Sequence, residues 1–483
     1  MISFMLNDKS IQIDDARADL TVLNYLREHC RFTGSKEGCA SGDCGACTVV
    51  LAEPDASGNK LAYRSINSCV TFLSALQGKQ LLTVEHLADE TGLHPVQQAM
   101  VDHHGSQCGF CTPGFVMSMF ALYHQPQIPN REQVNQALSG NLCRCTGYRP
   151  IIDASLASCQ HRTTDKFDLQ QQQTLAQLKT LAEQHSDQKL GLEGLHIPLD
   201  RQQLKALRLR HPTARLVAGS TDLALEVTQQ QRPMPEMIYL GKVAELLELK
   251  ADQDTLNIGA AVPLQQLQPE LVQHFPELAE LIERFASTPI RHQATLGGNV
   301  ANASPIGDLP PVLLALGADI VLDNGTERRT VAAKQFFSGY RQTVMRADEW
   351  IESIRIPFKT EHSVLRAYKV SKRYEDDISA VCAVFYLTLD NDVIQSVSTG
   401  FGGVAATPVS CKTLAEKLLD KRWSDNQSMT TGKQILAEAF QPIDDVRASA
   451  DYRNKVLANL WQRFWLETNQ QDLTIQTRVV NHA

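Results

Sequence analysis

Apolar residues at the start of the chain alternate with polar ones in short stretches. Residues 2–6 and 11–13 flank Asn7-Asp8-Lys9-Ser10, the pattern of two strands joined by a turn. Asp19 is the predicted N-cap of a short helix whose apolar positions are Leu20, Leu23 and Leu26. A glycine-rich loop from Gly34 to Ala46 then leads into a strand predicted over Thr48–Ala52. Between Pro95 and Ser158 the period lengthens. Helices are predicted over Pro95–His104, Pro113–His124, Arg131–Leu138 and Pro150–Ala157, with Asn130 as an N-cap and Pro113 and Pro150 in first turns. The polar stretch around Gln170–Gln173 reads as a linker, helical in part. From about 195 to 360 strands and helices mix, punctuated by Gly219–Asp222 and Gly297–Asn299, and a last α+β stretch runs from His362 to about 470. The expected division is 1–82, 83–159, a linker at 160–193, 194–361 and 362–475.

Composition narrows the class. With 483 residues, several domains can each bury a core. Lys plus Arg number 46 and Asp plus Glu 54, a net charge of −8, which lacks the basic footprint of a general nucleic-acid binder. Even the apolar run Ala380–Leu387 is far too short to cross a membrane, and Asp8 and Lys9 interrupt the start where an export signal needs apolar residues. A cytoplasmic location is the expectation, and there cysteines serve metals or redox chemistry rather than disulfides. Nine of the twelve cysteines precede residue 146.

Eight of those nine form two quartets. Cys39-x4-Cys44-x2-Cys47 with a later Cys69 has the spacing of a plant-type [2Fe–2S] site. Gly38, Gly42 and Gly45 free the loop backbone to turn amides toward cluster sulfur, and Ala40, Ser41 and Ala46 are small. A four-cysteine zinc site needs the same ligand type, but zinc sites usually pair two short knuckles. The second quartet is Cys108-x2-Cys111 with Cys143-x-Cys145, each pair at a predicted helix start, where unpaired amides favour thiolates. A thioredoxin-like pair at Cys108 and Cys111 would leave Cys143 and Cys145 unused and lacks a surrounding βαβ pattern.

Two glycine turns follow. Leu216-Val217-Ala218-Gly219-Ser220-Thr221-Asp222-Leu223 reads as strand, turn and helix start, and Thr295-Leu296-Gly297-Gly298-Asn299 is a second such turn. Either could bring amides to a diphosphate or simply pack tightly. Gly400-Phe401-Gly402-Gly403-Val404-Ala405 fits G-x-G-x-x-A, yet Pro408 stands where a dinucleotide-binding helix would begin, so packing is the expected role. No P-loop, H-E-x-x-H or G-x-S-x-G is present.

Gln107-Cys108-Gly109-Phe110-Cys111-Thr112-Pro113-Gly114 and Asn141-Leu142-Cys143-Arg144-Cys145-Thr146-Gly147-Tyr148-Arg149-Pro150 resemble the helical cluster domain of the molybdenum hydroxylases. Cys39 to Cys69 resemble the ferredoxin-like domain that precedes it, and the glycine turns resemble the FAD domain of the xanthine dehydrogenase branch. The resemblance implies a multidomain α+β chain: a β-grasp [2Fe–2S] domain, a four-helix [2Fe–2S] domain, a two-part α+β FAD-binding domain and a C-terminal α+β domain. It implies that residues 216–223 and 295–299 wrap the FAD diphosphate, with Asp308, Ile351 and Lys369 completing the site and Phe285 against the flavin. Tyr340 and Arg341 match positions on the nicotinamide side, and Ser371–Asp377 matches a mobile acidic loop, which by itself reads as a solvated turn.

The implied activity is electron transfer. Electrons from purine hydroxylation at molybdenum pass through two [2Fe–2S] clusters to FAD and on to NAD+. The molybdenum cofactor and the catalytic acid–base groups are expected on a separate large subunit in an α2β2 heterotetramer, with neither nucleic acid nor membrane as partner. The same conduit could serve an aldehyde or N-heterocycle hydroxylase. A zinc-stabilised scaffold is the alternative from another class.

Overall fold

The computed structural model describes residues 1–90, 92–183 and 190–469; the last residues of the expected 160–193 linker and the end of the 362–475 segment lie partly outside these. The described residues form two compact units. The first comprises 1–244, 263–265 and 286–295; the second comprises 245–262, 266–285 and the chain from Leu296 onward.

The first unit opens with a hairpin of β1 (Ile2–Leu6) and β2 (Lys9–Ile13), joined later by β3 (Thr48–Pro54), β4 (Leu61–Asn67) and β5 (Gln80–Leu82). The sheet order is β2-β1-β5-β3-β4, with β1 and β5 parallel and the remaining pairs antiparallel. Period-two alternation serves two cores at once. Ile2, Phe4, Leu6, Val49, Leu51 and Leu81 face one, and Met5, Val50, Ala52 and Leu82 face the other.

The second of these cores is completed by helices α1 (Pro95–Asp102), α2 (Thr112–Tyr123), α3 (Arg131–Leu138) and α4 (Arg149–Gln160). Asn130 caps α3 as expected, its side chain accepting the Gln133 amide. Asp19 caps nothing. Thr21 is the N-cap of the short helix Val22–Asn24, and the buried Asp19 carboxylate instead accepts the Met234 amide and pairs with Arg17. Most of the expected linker is the 18-residue helix α5 (Lys166–Glu183), which buries Phe167, Thr174, Leu178 and Leu181. The glutamine run masks that apolar stripe in the sequence. Asp165 starts this helix by accepting the Phe167 and Asp168 amides.

Described residues on both sides of position 194 share one core. A four-stranded sheet, β6 (Gly191–Leu192), β7 (Leu195–His196), β8 (Arg215–Val217) and β9 (Met237–Tyr239), has the order β6-β7-β9-β8. Its Leu195, Val217, Met237 and Tyr239 share the core of Ile2 and Phe4.

The second unit has an antiparallel sheet of β10 (Leu249–Ala251), β11 (Thr255–Gly259), β12 (Asp319–Asp323), β13 (Arg328–Ala332) and β16 (Trp350–Pro357), in the order β10-β11-β16-β12-β13. Between β13 and β16 lies the small hairpin β14 (Phe337–Gly339) and β15 (Gln342–Thr343). A meander of β17 (Ser363–Val370), β18 (Val381–Asp390) and β19 (Val393–Gly402) packs on the helices Asn426–Glu438 and Ala450–Asn469 around Phe385, Trp423 and Trp461. The Gly400–Ala405 motif is a packing device, as expected. Gly400 lies in β19, where a Cβ would meet the Pro311 carbonyl oxygen at 1.8 Å, and the next helix begins only at Lys412.

Candidate cluster and flavin sites

The first quartet sits on the loop between the Tyr25–His29 turn and β3, with Cys69 in the turn after β4. The structure brings its four sulfurs together: Cys39 contacts Cys44 and Cys69, and Cys47 Sγ lies 3.2 Å from Cys69 Sγ. The amides of Ser41 and Cys44 both donate to Cys39 Sγ at 3.4 Å. Hydrogen-bond contact with Cys44 and then Cys69 holds the Cys39 thiol far below its ordinary pKa, and contact with Cys69 lowers that of Cys47. Cys44 and Cys69 are pushed up by the same contacts. A cradle this tight suits a ligated group: a Cβ on Gly38 would stand 2.8 Å from Cys44 Sγ.

The second quartet assembles at two helix starts. Cys111 is the N-cap of α2, and Cys143 and Cys145 precede α4. Cys111 contacts Cys143, and Cys108 contacts Cys145. Burial and then the Cys143 thiol raise Cys111 to about 12. For Cys143, burial is outweighed by the Thr146 hydroxyl at 3.2 Å and its amide, and the thiol is lowered. Cys108 and Cys145 are exposed, whereas Cys47 and Cys69 are buried. Both arrangements fit the donor set of a [2Fe–2S] cluster, four thiolates with amide or hydroxyl donors beside them.

The two cysteine loops are joined directly. The Leu142 amide donates to the Cys44 carbonyl at 2.9 Å, which links a residue of one quartet to the neighbour of Cys143 in the other. Asn141, almost wholly buried, donates to the Gly45 carbonyl (3.0 Å) and the Thr48 hydroxyl (3.2 Å) and accepts from Ser118 (2.7 Å). Sequence reasoning missed this role, although Asn141 stands two residues from Cys143. It also missed Asn67, whose amide reaches Cys47 Sγ at 3.9 Å, and Thr146.

In the first unit, the expected flavin segment Leu216–Leu223 leaves β8 and turns at Gly219, where a Cβ would meet the Gln293 carbonyl oxygen at 1.9 Å. Ser220, at φ 59°, donates its hydroxyl to the Val70 carbonyl at 2.7 Å. Val70 follows Cys69. Five residues after Leu223, Thr228 donates to the Ala40 carbonyl and Gln229 to that of Cys39. Val217 and Thr295 are buried, Leu216, Ala218, Gly219, Thr221 and Leu223 are half-buried, and Asp222 is exposed.

In the second unit, Leu296, Gly297, Gly298 and Asn299 lie in the helix Leu296–Ala301. Gly297 packs against Ala260, and Asn299 Oδ1 is buried with no hydrogen-bond partner among the described residues, as a ligand-facing polar atom would be. Asp308 and Lys369, 61 residues apart, form a buried ion pair at 2.6 Å, and Ser379 donates to the other Asp308 oxygen at 2.5 Å. Ile351 is buried on β16, and Phe285 is half-buried. Tyr340 and Arg341 form the exposed turn between β14 and β15, with Arg341 at φ 52°. In the Ser371–Asp377 segment Arg373 pairs with Asp377, and the Arg284 guanidinium lies 4.4 Å from the Tyr374 ring centroid.

Comparison with known proteins supplies the domain identities. Residues 4–74 match the family of 2Fe-2S iron-sulfur cluster binding domains and residues 83–156 a second [2Fe-2S] binding domain. Residues 171–359 match the FAD binding domain in molybdopterin dehydrogenase, and residues 366–468 the CO dehydrogenase flavoprotein C-terminal domain. The chain is 33% identical over 97% of its length to a xanthine dehydrogenase of Emericella nidulans and 31% identical over 97% to a xanthine dehydrogenase/oxidase of Rattus norvegicus. It spans 39% of the length of each. Two solved structures share the fold over part of the chain. The carbon monoxide dehydrogenase of Hydrogenophaga pseudoflava has a TM-score of 0.53 and 24% identity, covering 56% of this chain and 94% of that one. The quinoline 2-oxidoreductase of Pseudomonas putida 86 has a TM-score of 0.53 and 23% identity, covering 58% and 98%. The chain therefore contains two [2Fe–2S] domains and an FAD-binding domain, and the zinc-scaffold reading loses its ground.

Proposed function

Because this chain belongs to the molybdenum hydroxylase family, we propose that it is the electron-carrying part of a xanthine dehydrogenase. In this reading it accepts electrons from purine oxidation at a molybdenum-bearing partner and delivers them to NAD+. The carrying observation is the continuity of the bonded path in the first unit. Leu142, beside Cys143, bonds to Cys44 of the other quartet, and Val70, beside Cys69, bonds to Ser220 of the proposed flavin segment.

When bound, the clusters pass single electrons and FAD combines two of them into a hydride equivalent. The chain's own residues set the conditions. Cys39, Cys44, Cys47 and Cys69 hold one cluster, and Cys108, Cys111, Cys143 and Cys145 hold the other. The Ser41 and Cys44 amides and the Thr146 hydroxyl offset the negative charge of their thiolates. Asn141 fixes the two cysteine loops against each other. Residues 216–223 and 295 of the first unit are proposed flavin contacts, as are 296–299, Asp308, Ile351, Lys369 and Phe285 of the second. The exposed turn Tyr340-Arg341 is proposed to meet the nicotinamide. In this reading no catalytic residue for substrate hydroxylation lies on this chain.

The face of the second quartet supports a partner there. Around exposed Cys108 and Cys145 stand exposed Phe110, Leu142 and Tyr148, an apolar group of the kind that marks an interaction site. An α2β2 assembly with a molybdenum-bearing subunit follows as the proposal. The test is xanthine-dependent NADH formation by the chain isolated with its partner, once absorbance confirms flavin and clusters. Activity supports the full path. A loaded complex inactive with xanthine but active with an aldehyde or N-heterocycle keeps the conduit and overturns the purine assignment.

A further inference from the structure

Among the described residues, two groups of ligand-type side chains lie outside the cysteine quartets, both in the first unit. The first, His94, His124 and Asp165, has its side chains buried, and two of the three, His94 and Asp165, are already spent on hydrogen bonds. His94 Nδ1 accepts the Val96 amide, so its proton sits on Nε2 and is donated to Asp165 Oδ2 at 2.9 Å. Asp165 Oδ1 is taken by the Phe167 and Asp168 amides. A ring whose Nδ1 lone pair is engaged and whose Nε2 holds its proton has no lone pair left for a metal. This group is a structural joint.

The second group is built differently. His196 ends β7, His211 follows the helix Arg201–Arg210, and Glu236 immediately precedes β9, which pairs in parallel with β7. Three regular elements thus converge on one point. His211 Nδ1 lies 2.7 Å from Glu236 Oε1, and His196 Nε2 lies 4.0 Å from the same oxygen. The rings stack with centroids 4.0 Å apart, and one ligand atom from each residue falls within 4.8 Å of the others. The Thr213 hydroxyl approaches the second Glu236 oxygen at 3.4 Å, the outer-sphere contact that orients a ligating carboxylate.

We propose that His196, His211 and Glu236 form a binding site for a divalent transition metal of the zinc class. Metal–nitrogen and metal–oxygen bonds of about 2.0–2.2 Å in tetrahedral geometry place neighbouring ligand atoms roughly 3.3 Å apart. The present spacings of 2.7 and 4.0 Å straddle that value and all three atoms lie within 4.8 Å, so once the His211 proton moves from Nδ1 to Nε2, leaving the Nδ1 lone pair to the metal, rotations of about 1 Å close the site. Two neutral imidazoles and one carboxylate offer a single negative charge to a dication. The His196 side chain is 8% accessible, whereas those of His211 and Glu236 are 22% and 34% accessible. The floor is therefore dry and one side is open for entry and for a fourth, solvent ligand. A bound ion ties β7 to β9, the strand on which β8 lies just before Gly219.

The experiment uses the full chain with clusters and flavin assembled, so that the cysteine quartets cannot compete. It is titrated with Co2+ and with Zn2+ by calorimetry, and the cobalt absorption is recorded. The expected result is one added cobalt with visible ligand-field bands and no thiolate charge-transfer band. His211→Ala and Glu236→Gln should each weaken binding by roughly tenfold or more, with iron and flavin content unchanged. Zn2+ should raise the unfolding midpoint of the parent and not of the variants. No cobalt bound to the parent, equal binding by the variants, or a thiolate band would each overturn the site.

Discussion

Replacing Gly114 by alanine sets two known effects against each other and asks which wins. Gly114 lies in the first turn of α2 with ordinary helical backbone, so propensity alone favours alanine by about 1 kcal/mol. Against this, an added Cβ would stand 2.1 Å from the Gly45 carbonyl oxygen, 3.1 Å from its carbon and 3.2 Å from Ala46 Cα. All three are main-chain atoms, so no side chain can swing away. Gly45 has little room to yield: it sits at φ +66°, and a Cβ there would itself stand 2.2 Å from the Gly140 carbonyl oxygen and 2.4 Å from Asn141 Nδ2. Restoring a normal carbon–oxygen contact needs roughly 1 Å of separation, and overpacking of this kind costs about 1–3 kcal/mol, here toward the upper end. The net expectation is a loss of about 2 kcal/mol, an unfolding midpoint lower by about 5 °C in the cluster-loaded chain. Because Gly45 lies between Cys44 and Cys47, the same wedge should broaden or shift the electron paramagnetic resonance of the first cluster. A Gly114→Ala chain as stable as the parent, with both cluster signals unchanged, would show that the two cysteine domains do not meet as tightly as described.

Asp308→Asn leaves the Lys369 ammonium buried without its counter-charge, and breaking a buried pair costs about 3–5 kcal/mol; unfolding of the loaded chain and flavin retained per chain should both fall, and unchanged values would remove the pair from the flavin site. His292, whose ring bonds to the Ser65 carbonyl at 2.8 Å, is lowered by burial to about 4, against about 6.5 in an unfolded chain. Between those values only the unfolded state takes up the proton, so stability is full above about pH 6.5 and declines as pH falls toward 4, by about 2 kcal/mol at pH 5. His292→Asn should flatten that part of the pH–stability curve, and an unaltered slope would assign it to other groups.

The two cysteine groups, the proposed cluster ligands, were legible because their spacing is local. Three of the first four lie within a nine-residue loop, and the second set is two close pairs. What surrounds them was not. Asn141 acts on Gly45 across 96 residues and Ser220 on Val70 across 150, and neither pairing leaves a periodic trace. The helix Lys166–Glu183 was obscured for a different reason. Its buried positions 167, 174, 178 and 181 keep helical spacing, but glutamines fill the turns between them and lower the apolar contrast. At Thr21 the competing cap Asp19 was the better sequence candidate, and tertiary demand from the Met234 amide took it elsewhere. Asp308 and Lys369, named as flavin-site residues only by resemblance, pair with each other in the fold of the second unit, which no sequence signal announced.

The contrast between the quartets bears on the direction of flow in the proposed conduit. A site that exchanges electrons with a separate protein must come close to the surface, and the surface around it must be able to exclude water once covered. The second quartet meets both demands, with Cys108 and Cys145 exposed among exposed Phe110, Leu142 and Tyr148. The first quartet is more enclosed: Cys47 and Cys69 are buried, Cys39 and Cys44 are half-buried, and its loop is bonded to Leu142 on one side and to Thr228 and Gln229 on the other. Such a site is poorly placed for a docking protein and well placed for an internal relay. If electrons entered at the first quartet, the apolar group at the second would serve no exchange, and the Leu142–Cys44 bond would lead away from the flavin segment. Entry at the second quartet uses every one of these contacts in sequence.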